Sequence, residues 1–419
     1  MADIRPIKAL RYTGNAGALS TNVCPPYDII SAEERAELIA GSPYNLVRLE
    51  KPEGEGGYVE AASLLENWLS RDIIARDKEE GIYVYGEDFE VKGERYSLRG
   101  LVCLCRLYDF SEGIVLPHEN TLSGAKADRF ELMKTTYCNF SSIYGLYVDE
   151  ERVIADAVDK ATAAVPVQCF ADSEGVTHTL WRITDKDTLS LIVNAMAPKQ
   201  VFIADGHHRY ETAVKFRDYL EDRGECPENR DYVLMTLVDM DDDGLVIFPT
   251  HRLIKGMEID KAKLIASLED EFDIEEYPDV RRAESILARN ADKKAYGLYM
   301  GGDGFTLLTF KGEIKEEGDG GLSALDVSVL HDRILEQKLG IDKENMARQL
   351  NLRYTRDITE AVESVRSGES AAAFILNPTK VGEIKSVSLA GGKMPQKSTY
   401  FYPKLKTGLV MNTIKEDRY

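Results

Sequence analysis

Asp205-Gly206-His207-His208-Arg209 places an acid, two imidazoles and a guanidinium within five residues. The turn follows the short apolar run Val201-Phe202-Ile203-Ala204. It precedes Tyr210, Ala213, Val214, Phe216, Tyr219 and Leu220 at helical spacing, a helix stopped by Gly224. The pattern therefore predicts a buried strand that hands over directly to a helix. Such a turn brings exposed amide N–H groups and the positive helix end to one point, which suits an anion. Gly206 lets the backbone approach a ligand closely, Arg209 offers a two-pronged contact to phosphate, and His207 and His208 supply donors or acid–base groups. Asp205 is positioned to take a proton from a hydroxyl or to hold a metal ion. The plainer alternative is that the histidines only begin a helix and the acid satisfies backbone donors.

Three further segments carry chemistry-bearing residues. Pro117-His118-Glu119-Asn120-Thr121 leads through Ser123-Gly124-Ala125, which reads as a loop, to Lys126, Asp128 and Arg129. Glu119 would serve as a general base and Lys126 and Arg129 as anion contacts, or the stretch would act as a lid; a solvated helix start capped by Asp128 is the structural alternative. Pro25-Pro26-Tyr27-Asp28 is a rigid extended segment that projects Tyr27 and Asp28, although an edge strand explains it equally well. The tail from Lys393 to Lys404 combines Lys393, Lys397 and Lys404 with Ser398, Thr399 and three aromatic residues, a composition suited to a phosphate or nucleotide pocket or to a charged strand. His118, Glu119, Asp205, His207 and His208 are numerous enough to ligate a metal. Adjacent histidines at a helix start diverge, however, and no His-x-x-x-His pair exists, so Mg²⁺ accompanying a nucleotide, held by Asp205, is favoured over a transition metal. Neither a Walker A nor a G-x-G-x-x-G pattern occurs, and Cys24 and Cys138 lack a nucleophile signature.

The elements that must position these residues read as follows. Ser31 with Glu34 forms a capping-box pattern opening a helix that ends near Gly41-Ser42-Pro43. A second helix covers about 58–69, with Leu64, Leu65, Trp68 and Leu69 on one side. Residues 82–91 and 96–107 form a hairpin around Lys92-Gly93-Glu94, and a helical pattern begins at Asp128. Strands are expected at 143–148, 201–204 and 371–376. Further hairpins are expected at 232–240 with 245–248 and at 296–300 with 305–310. Ser323 is expected to cap a helix carrying Leu325, Val329, Leu330, Ile334 and Leu335, and 311–321 reads as a linker. The tetrapeptide Tyr-Gly-Leu-Tyr recurs at 144–147 and 296–299, a weak sign of duplication. Hairpins and helices interleave without a βαβ rhythm, so the fold is expected to be α+β, with mixed sheets, hairpins and flanking helices. Three regions are expected: 1–150, 151–312 and 322–419.

Bulk properties narrow the function. With 419 residues and a formal charge of −20, the chain exceeds a single core and lacks the basic footprint of a nucleic-acid binder. An anionic substrate must therefore be met by a locally basic pocket. The start has no apolar run, no stretch reaches membrane-spanning length and six scattered cysteines form no C-x-x-C pair, so a cytoplasmic protein with free thiols, without nucleic-acid or membrane partners, is expected.

Asp-Gly-His-His-Arg-Tyr after a buried strand, opening a helix with Ala213 inside it, resembles the phosphate-binding element of the ParB/sulfiredoxin-like superfamily. The nearer resemblance is to a bacterial domain-of-unknown-function family sharing Pro25-Pro26-Tyr27-Asp28, the segment 117–121, the Asp205–Arg209 turn and Lys397-Ser398-Thr399. Members of the superfamily with Asp-Gly-His-His-Arg look like free serine kinases, which convert L-serine to O-phospho-L-serine. That resemblance implies a ParB/sulfiredoxin-like core with large additional segments and a nucleotide cofactor, ATP or ADP, with Mg²⁺. It places Gly206, His207, His208 and Arg209 on phosphates and Asp205 near the transferred group. His118, Lys126, Arg129, Lys397, Ser398 and Thr399 are the further candidates for contacting the nucleotide, and Glu119 and Asp28 the candidates for the base. A homodimer is possible. The chain is far longer than a minimal member, which bears on the substrate. Two competing readings are a ParB-type nucleotide-binding switch without turnover and a metal-dependent hydrolase using His118, His207 and His208.

Overall fold

The computed structural model describes residues 2–119, 121, 123–314 and 318–415. The chain divides into two compact units: Met1–Pro117, Thr121–Val246 and Pro403–Tyr419 form the first, and His118–Asn120 with Ile247–Tyr402 form the second.

The first unit is built on a mixed sheet. Its strands run in the order Val115–Leu116, Val201–Asp205, Ile143–Tyr147, Tyr232–Asp239, Glu94–Arg106, Ile82–Val91, Thr177–Ile183, Gln168–Ala171, with Ile4–Arg5 joined to Glu94–Arg106. Val201–Asp205 runs parallel to Val115–Leu116 and antiparallel to Ile143–Tyr147, which in turn is parallel to Tyr232–Asp239. The hairpin 82–91/94–106 turns on Lys92 (φ 54°) and Gly93 (φ 84°), the two-residue turn whose twist matches its strands. The helix His207–Asp222 buries Tyr210, Ala213, Phe216 and Leu220 in the same core as Ile203 and Met235. Each large apolar side chain buried there stabilises the fold by roughly 1.5–3 kcal/mol. Tyr210 also fixes the helix to the sheet by polar contacts, because its hydroxyl donates to Tyr108 O and accepts from Tyr108 N, both at 2.9 Å.

The second unit is a six-stranded sheet ordered Phe272–Tyr277, Phe305–Phe310, Ala295–Tyr299, Ala372–Ile375, His251–Ile254, Leu352–Thr355, with every neighbouring pair antiparallel. Leu253, Tyr299, Phe305, Ala361 and Ile375 lie in its core, where the helices Ala283–Ala288 and Ile358–Arg366 cover the sheet. The fold is thus α+β with mixed sheets, hairpins and flanking helices. Among the described residues no helix is long and apolar enough to cross a membrane.

Several local expectations change. The helix expected from Asp128 begins at Ser123, because it docks on His207–Asp222: Lys126 Nζ lies 2.7 Å from Glu211 Oε2, so charge pairing extends a helix whose early residues show little amphipathic pattern. Residues 245–248 do not fold back on Tyr232–Asp239, whose two edges are already taken by Ile143–Tyr147 and Glu94–Arg106. Asp242 closes the turn instead, accepting from Gly244 N at 2.8 Å and Arg99 N at 3.4 Å. Ser323 does not cap a helix. Its N–H donates to Asp319 Oδ2 at 2.8 Å, and the apolar residues after it lie on a short α-helical turn, Asp326–Val329, running into a π-helix, Leu330–Glu336. Around Pro25-Pro26 the chain is extended, but Tyr27–Ile29 forms a turn, with Ile29 N donating to Pro26 O at 3.2 Å. Asn120 of the 117–121 segment and 315–317 of the expected linker lie outside the described residues.

Both Tyr-Gly-Leu-Tyr copies are central strands. At Gly145 a Cβ would stand 2.8 Å from Leu237 Cδ2 and from Val201 Cγ1, so the absent side chain lets the strand leading to Asp205 close on its neighbours. Gly145→Ala is expected to lower unfolding stability by about 1–3 kcal/mol through overpacking. A denaturant midpoint unchanged from the parent would show that the strands move apart freely at this point.

Candidate functional site

In the first unit, the strand Val201–Asp205 reaches Asp205, turns at Gly206 and enters the helix His207–Asp222 without an intervening loop. Gly206 has φ 92°, the left-handed region that favours glycine, and a Cβ there would lie 2.9 Å from Arg209 Nε. Glycine at this position also brings no side chain to cap the first turn of the helix. Arg209 folds back over the turn: Nη1 donates to Ser142 O at 2.6 Å and Nη2 to Asp205 Oδ2 at 3.4 Å. Lys404 Nζ approaches the same Asp205 oxygen at 3.4 Å. Burial by itself would raise the Asp205 carboxyl, but Lys404, Arg209 and His207 outweigh it and hold the group well below the usual carboxylate range. His207 is buried and His208 half-buried.

Behind the turn sits a layer of paired charges. Arg129 is buried, and each nitrogen of its guanidinium is engaged: Nε and Nη2 donate to Asp128 Oδ2 at 2.8 and 2.6 Å, and Nη1 donates to Glu50 O at 2.7 Å with Glu50 Oε1 at 3.6 Å. Tyr58 OH donates to Asp128 at 2.7 Å and Ser141 Oγ to Glu50 Oε1 at 2.7 Å. The Tyr27 ring stacks under Arg129 at 4.0 Å. Burial raises the Tyr27 hydroxyl to about 12, with Arg209 opposing, Asp28 assisting, and Arg129 and Glu50 contributing in turn. Glu50 is likewise pushed up by burial, against the pull of Arg129, Ser141 and Arg209. Tyr27, Asp28, Glu50, Arg129 and Arg209 therefore lie within electrostatic reach of one another, and Asp28 alone of them is exposed. Glu50, Arg129, Asn139, Ser141, Arg209 and Thr212 border a cavity of about 30 Å³, the space of a single water. Lys126 sits on the helix Ser123–Thr136, paired with Glu211, which also accepts from Thr121 Oγ1 at 2.8 Å.

The remaining candidates meet in the second unit. His118 Nε2 lies 3.0 Å from Thr399 Oγ1, its carbonyl accepts from Met394 N at 2.7 Å, and Glu119 Oε1 accepts from Lys397 N at 3.2 Å. Lys397 has φ 58°, and Ser398 Oγ donates to Pro395 O at 2.5 Å, so Lys397-Ser398-Thr399 is a tight turn laid against His118 and Glu119. Among the described residues no group of three or more His, Cys, Asp or Glu is gathered as metal ligands. The single ionised carboxylate of Asp205 matches the protein share of a Mg²⁺ site completed by phosphates and water.

Glu50, Glu211 and Lys406 were not among the sequence candidates, and Lys404 entered only as one residue of the basic tail. Lone acids in helices carry no motif. The signal for the lysines is the alternation Lys404-Leu405-Lys406, with Leu405 buried between two charges on one strand-like face. Lys406 Nζ reaches Asp172 Oδ2 at 2.8 Å, beside His178 Nε2 at 3.0 Å, and His178 Nδ1 meets Tyr85 OH at 2.7 Å. Burial works to raise Asp172, but the hydrogen bonds from Lys406 and His178 bring it down from 3.8 to about 2. A carboxyl depressed on folding stabilises fully above its unfolded value and loses that contribution as the pH falls towards the native one. Between pH 3.8 and about 2 the protein should therefore shed stability at this site, and Lys406→Met should move acid unfolding to higher pH. Circular dichroism along an acid titration checks this; coincident curves for parent and variant would remove Lys406 as the counter-charge.

A family model described as "Protein of unknown function (DUF1015)" matches residues 4–328. Among curated proteins none matches. Among solved structures, a free serine kinase mutant in complex with AMP aligns over 73% of this chain and 90% of that one, at 15% identity and a TM-score of 0.38. A conserved hypothetical protein from Pyrococcus furiosus covers 73% and 94% at 17% identity and 0.35. SbnI with a C-terminal truncation from Staphylococcus aureus covers 75% and 90% at 11% identity and 0.35. The family match takes in well over half of the sequence, and the chain belongs to the DUF1015 family.

Proposed function

We propose that this protein is a small-molecule kinase that transfers a nucleotide phosphoryl group to a hydroxyl, with free L-serine as acceptor and ATP or ADP as donor. The observation that carries the reading is the Asp205–Arg209 turn. There an ionised carboxylate is flanked by Arg209 and Lys404 at the N-terminus of a 16-residue helix whose cap is a left-handed glycine. Phosphoryl transfer asks for little beyond anion clamps, a divalent ion and a positioned carboxylate. In this reading the N–H groups of Gly206, His207 and His208 and the Arg209 side chain receive phosphates. Asp205 would hold Mg²⁺, which when bound neutralises charge on the phosphates. The choice of serine, and the ParB/sulfiredoxin-like core that goes with it, rest on the resemblance of the Asp-Gly-His-His-Arg segment. Arg129, each of whose nitrogens already holds one hydrogen bond, would meet the nucleotide through its remaining N–H groups or act through Tyr27. Lys126, paired to Glu211, orients the helix beside the turn. His118, Lys397, Ser398 and Thr399, grouped in the second unit, remain candidates for contacting a nucleotide.

The reading is tested by incubating the protein with ATP or ADP, Mg²⁺ and L-serine and quantifying O-phospho-L-serine. Arg209→Ala should reduce turnover about a hundredfold or more, the scale of removing one transition-state donor. Nucleotide hydrolysis that ignores serine would point to a switch, and no product above the Arg209→Ala background removes the kinase assignment. Asp28, exposed and in the same unit as the turn, and Glu119, held by Lys397 N, are the two carboxylates proposed as base. Asp28→Asn and Glu119→Gln should separate them. The variant of the true base loses kcat and keeps its KM for nucleotide, and if both retain kcat the base lies elsewhere.

A further inference from the structure

Arg252, in the strand His251–Ile254 of the second unit, is 1% exposed and meets no carboxylate among the described residues. Its guanidinium donates to Thr250 O, to Lys397 O at 3.2 Å and, through Nε, to His331 Nε2 at 3.4 Å, beneath the Tyr354 ring at 5.3 Å. Burial lowers Arg252 to about 10, so it keeps its charge at neutral pH. His331 is held far below its ordinary value, first by burial and then by Arg252, and is neutral. A neutral imidazole whose Nε2 accepts from a guanidinium must carry its proton on Nδ1. His331 therefore presents an N–H donor backed by a buried cation. It sits in the π-helix Leu330–Glu336, a geometry rare in proteins and frequent at functional sites.

His331 forms part of the wall of a cavity of about 460 Å³ contained in the second unit, together with Ser323, Lys343, Met346, Tyr354 and Lys393. Ser323 lines this wall, but its Oγ lies beneath the accessible surface, next to Asp319. Lys343 and Lys393 are exposed and make no ion pair among the described residues. Of the two acids on the wall, Asp319 is turned to its own loop, accepting from Gly321 N at 3.0 Å and Ser323 N at 2.8 Å, while Asp332 is exposed at the rim. The two lysines match the two acids in number, so the excess positive charge is that of Arg252 behind His331, and Leu322, Met346, Tyr354 and Met394 give the wall its apolar part beside polar Ser328 and Gln396. We infer that this cavity binds a small organic anion. Its carboxylate or phosphate meets His331 Nδ1–H and the two lysines, and its apolar body lies against Met346 and Tyr354. The volume falls within the range of small-molecule sites and far exceeds that of a single inorganic ion. The site is distinct from the Asp205–Arg209 turn and does not depend on the kinase reading.

Calorimetric titration of the full chain with phenyl phosphate, benzoate and benzyl alcohol tests the inference. One or both anions should bind, the pair of responses telling which head group the site takes, and the neutral alcohol should not. The double variant Lys343→Gln/Lys393→Gln, altered only at exposed side chains, should weaken binding about five- to tenfold. Arg209→Ala should leave it unchanged. Equal binding of the alcohol, no binding of either anion, or affinity that survives the lysine changes but falls with Arg209→Ala would each overturn the proposal.

Discussion

A carboxylate at the end of a buried strand stays ionised only if counter-charges replace the water it has lost. At Asp205 that requirement organises its surroundings. Arg209 must return over the turn to reach the acid, so position 206 cannot carry a Cβ. Lys404 must arrive from a segment two hundred residues away, which ties the chain's distant part to this strand. Two cations then face one acid at a helix N-terminus, and a region of positive character survives within a chain of formal charge −20. An incoming anion meets this local field rather than the global one, because screening confines the global charge to short range.

The layer behind the turn works differently. Arg129, Asp128 and Glu50 saturate one another, so they add rigidity without adding attraction. A pair as deeply buried as Arg129–Glu50 often gains little net stability over an apolar replacement, but removing one partner strands the other. Their visible effect is geometric: the Tyr27 ring is pinned by Arg129, and Asp28 is thereby presented at the surface beside it.

How much of this was legible in the sequence depends on the range of the interactions. Val201–Asp205 and the helix after it were legible because an apolar run, a glycine and a 3.6-residue period are all local signals. So was the hairpin at Lys92-Gly93, whose turn chemistry is written in two residues. The start of the helix at Ser123 was not, since Lys126 is drawn into it by Glu211 on another helix. The π-helix at Leu330–Glu336 escaped because the apolar positions Leu330, Ile334 and Leu335 suit an α-helical period equally well. Among the site residues, the grouping of His118 and Glu119 with Lys397–Thr399 joins segments nearly three hundred positions apart, and no local pattern encodes such a meeting. Lys404 stood in a recognisably basic tail, yet its target could be known only from the fold.

The returning segment 403–415 has a consequence for the order of assembly. It delivers Lys404 to Asp205 and Lys406 to Asp172, exchanges hydrogen bonds with Cys24 through Thr407 and with Leu10 through Met411, and pairs Asn412–Thr413 with Cys138–Asn139. During synthesis all of those partners leave the ribosome before it, and the second unit's long segment Ile247–Tyr402 is made in between. Nascent chains generally fold domain by domain from the N-terminal side. Here the first unit must wait with Asp205 and Asp172 each short of one counter-charge, or keep that part of its sheet open, until the returning segment arrives. Maturation of the Asp205–Arg209 turn is therefore coupled to the synthesis of residues 403–415, and a chain cut before them would carry the turn's residues without its full charge balance.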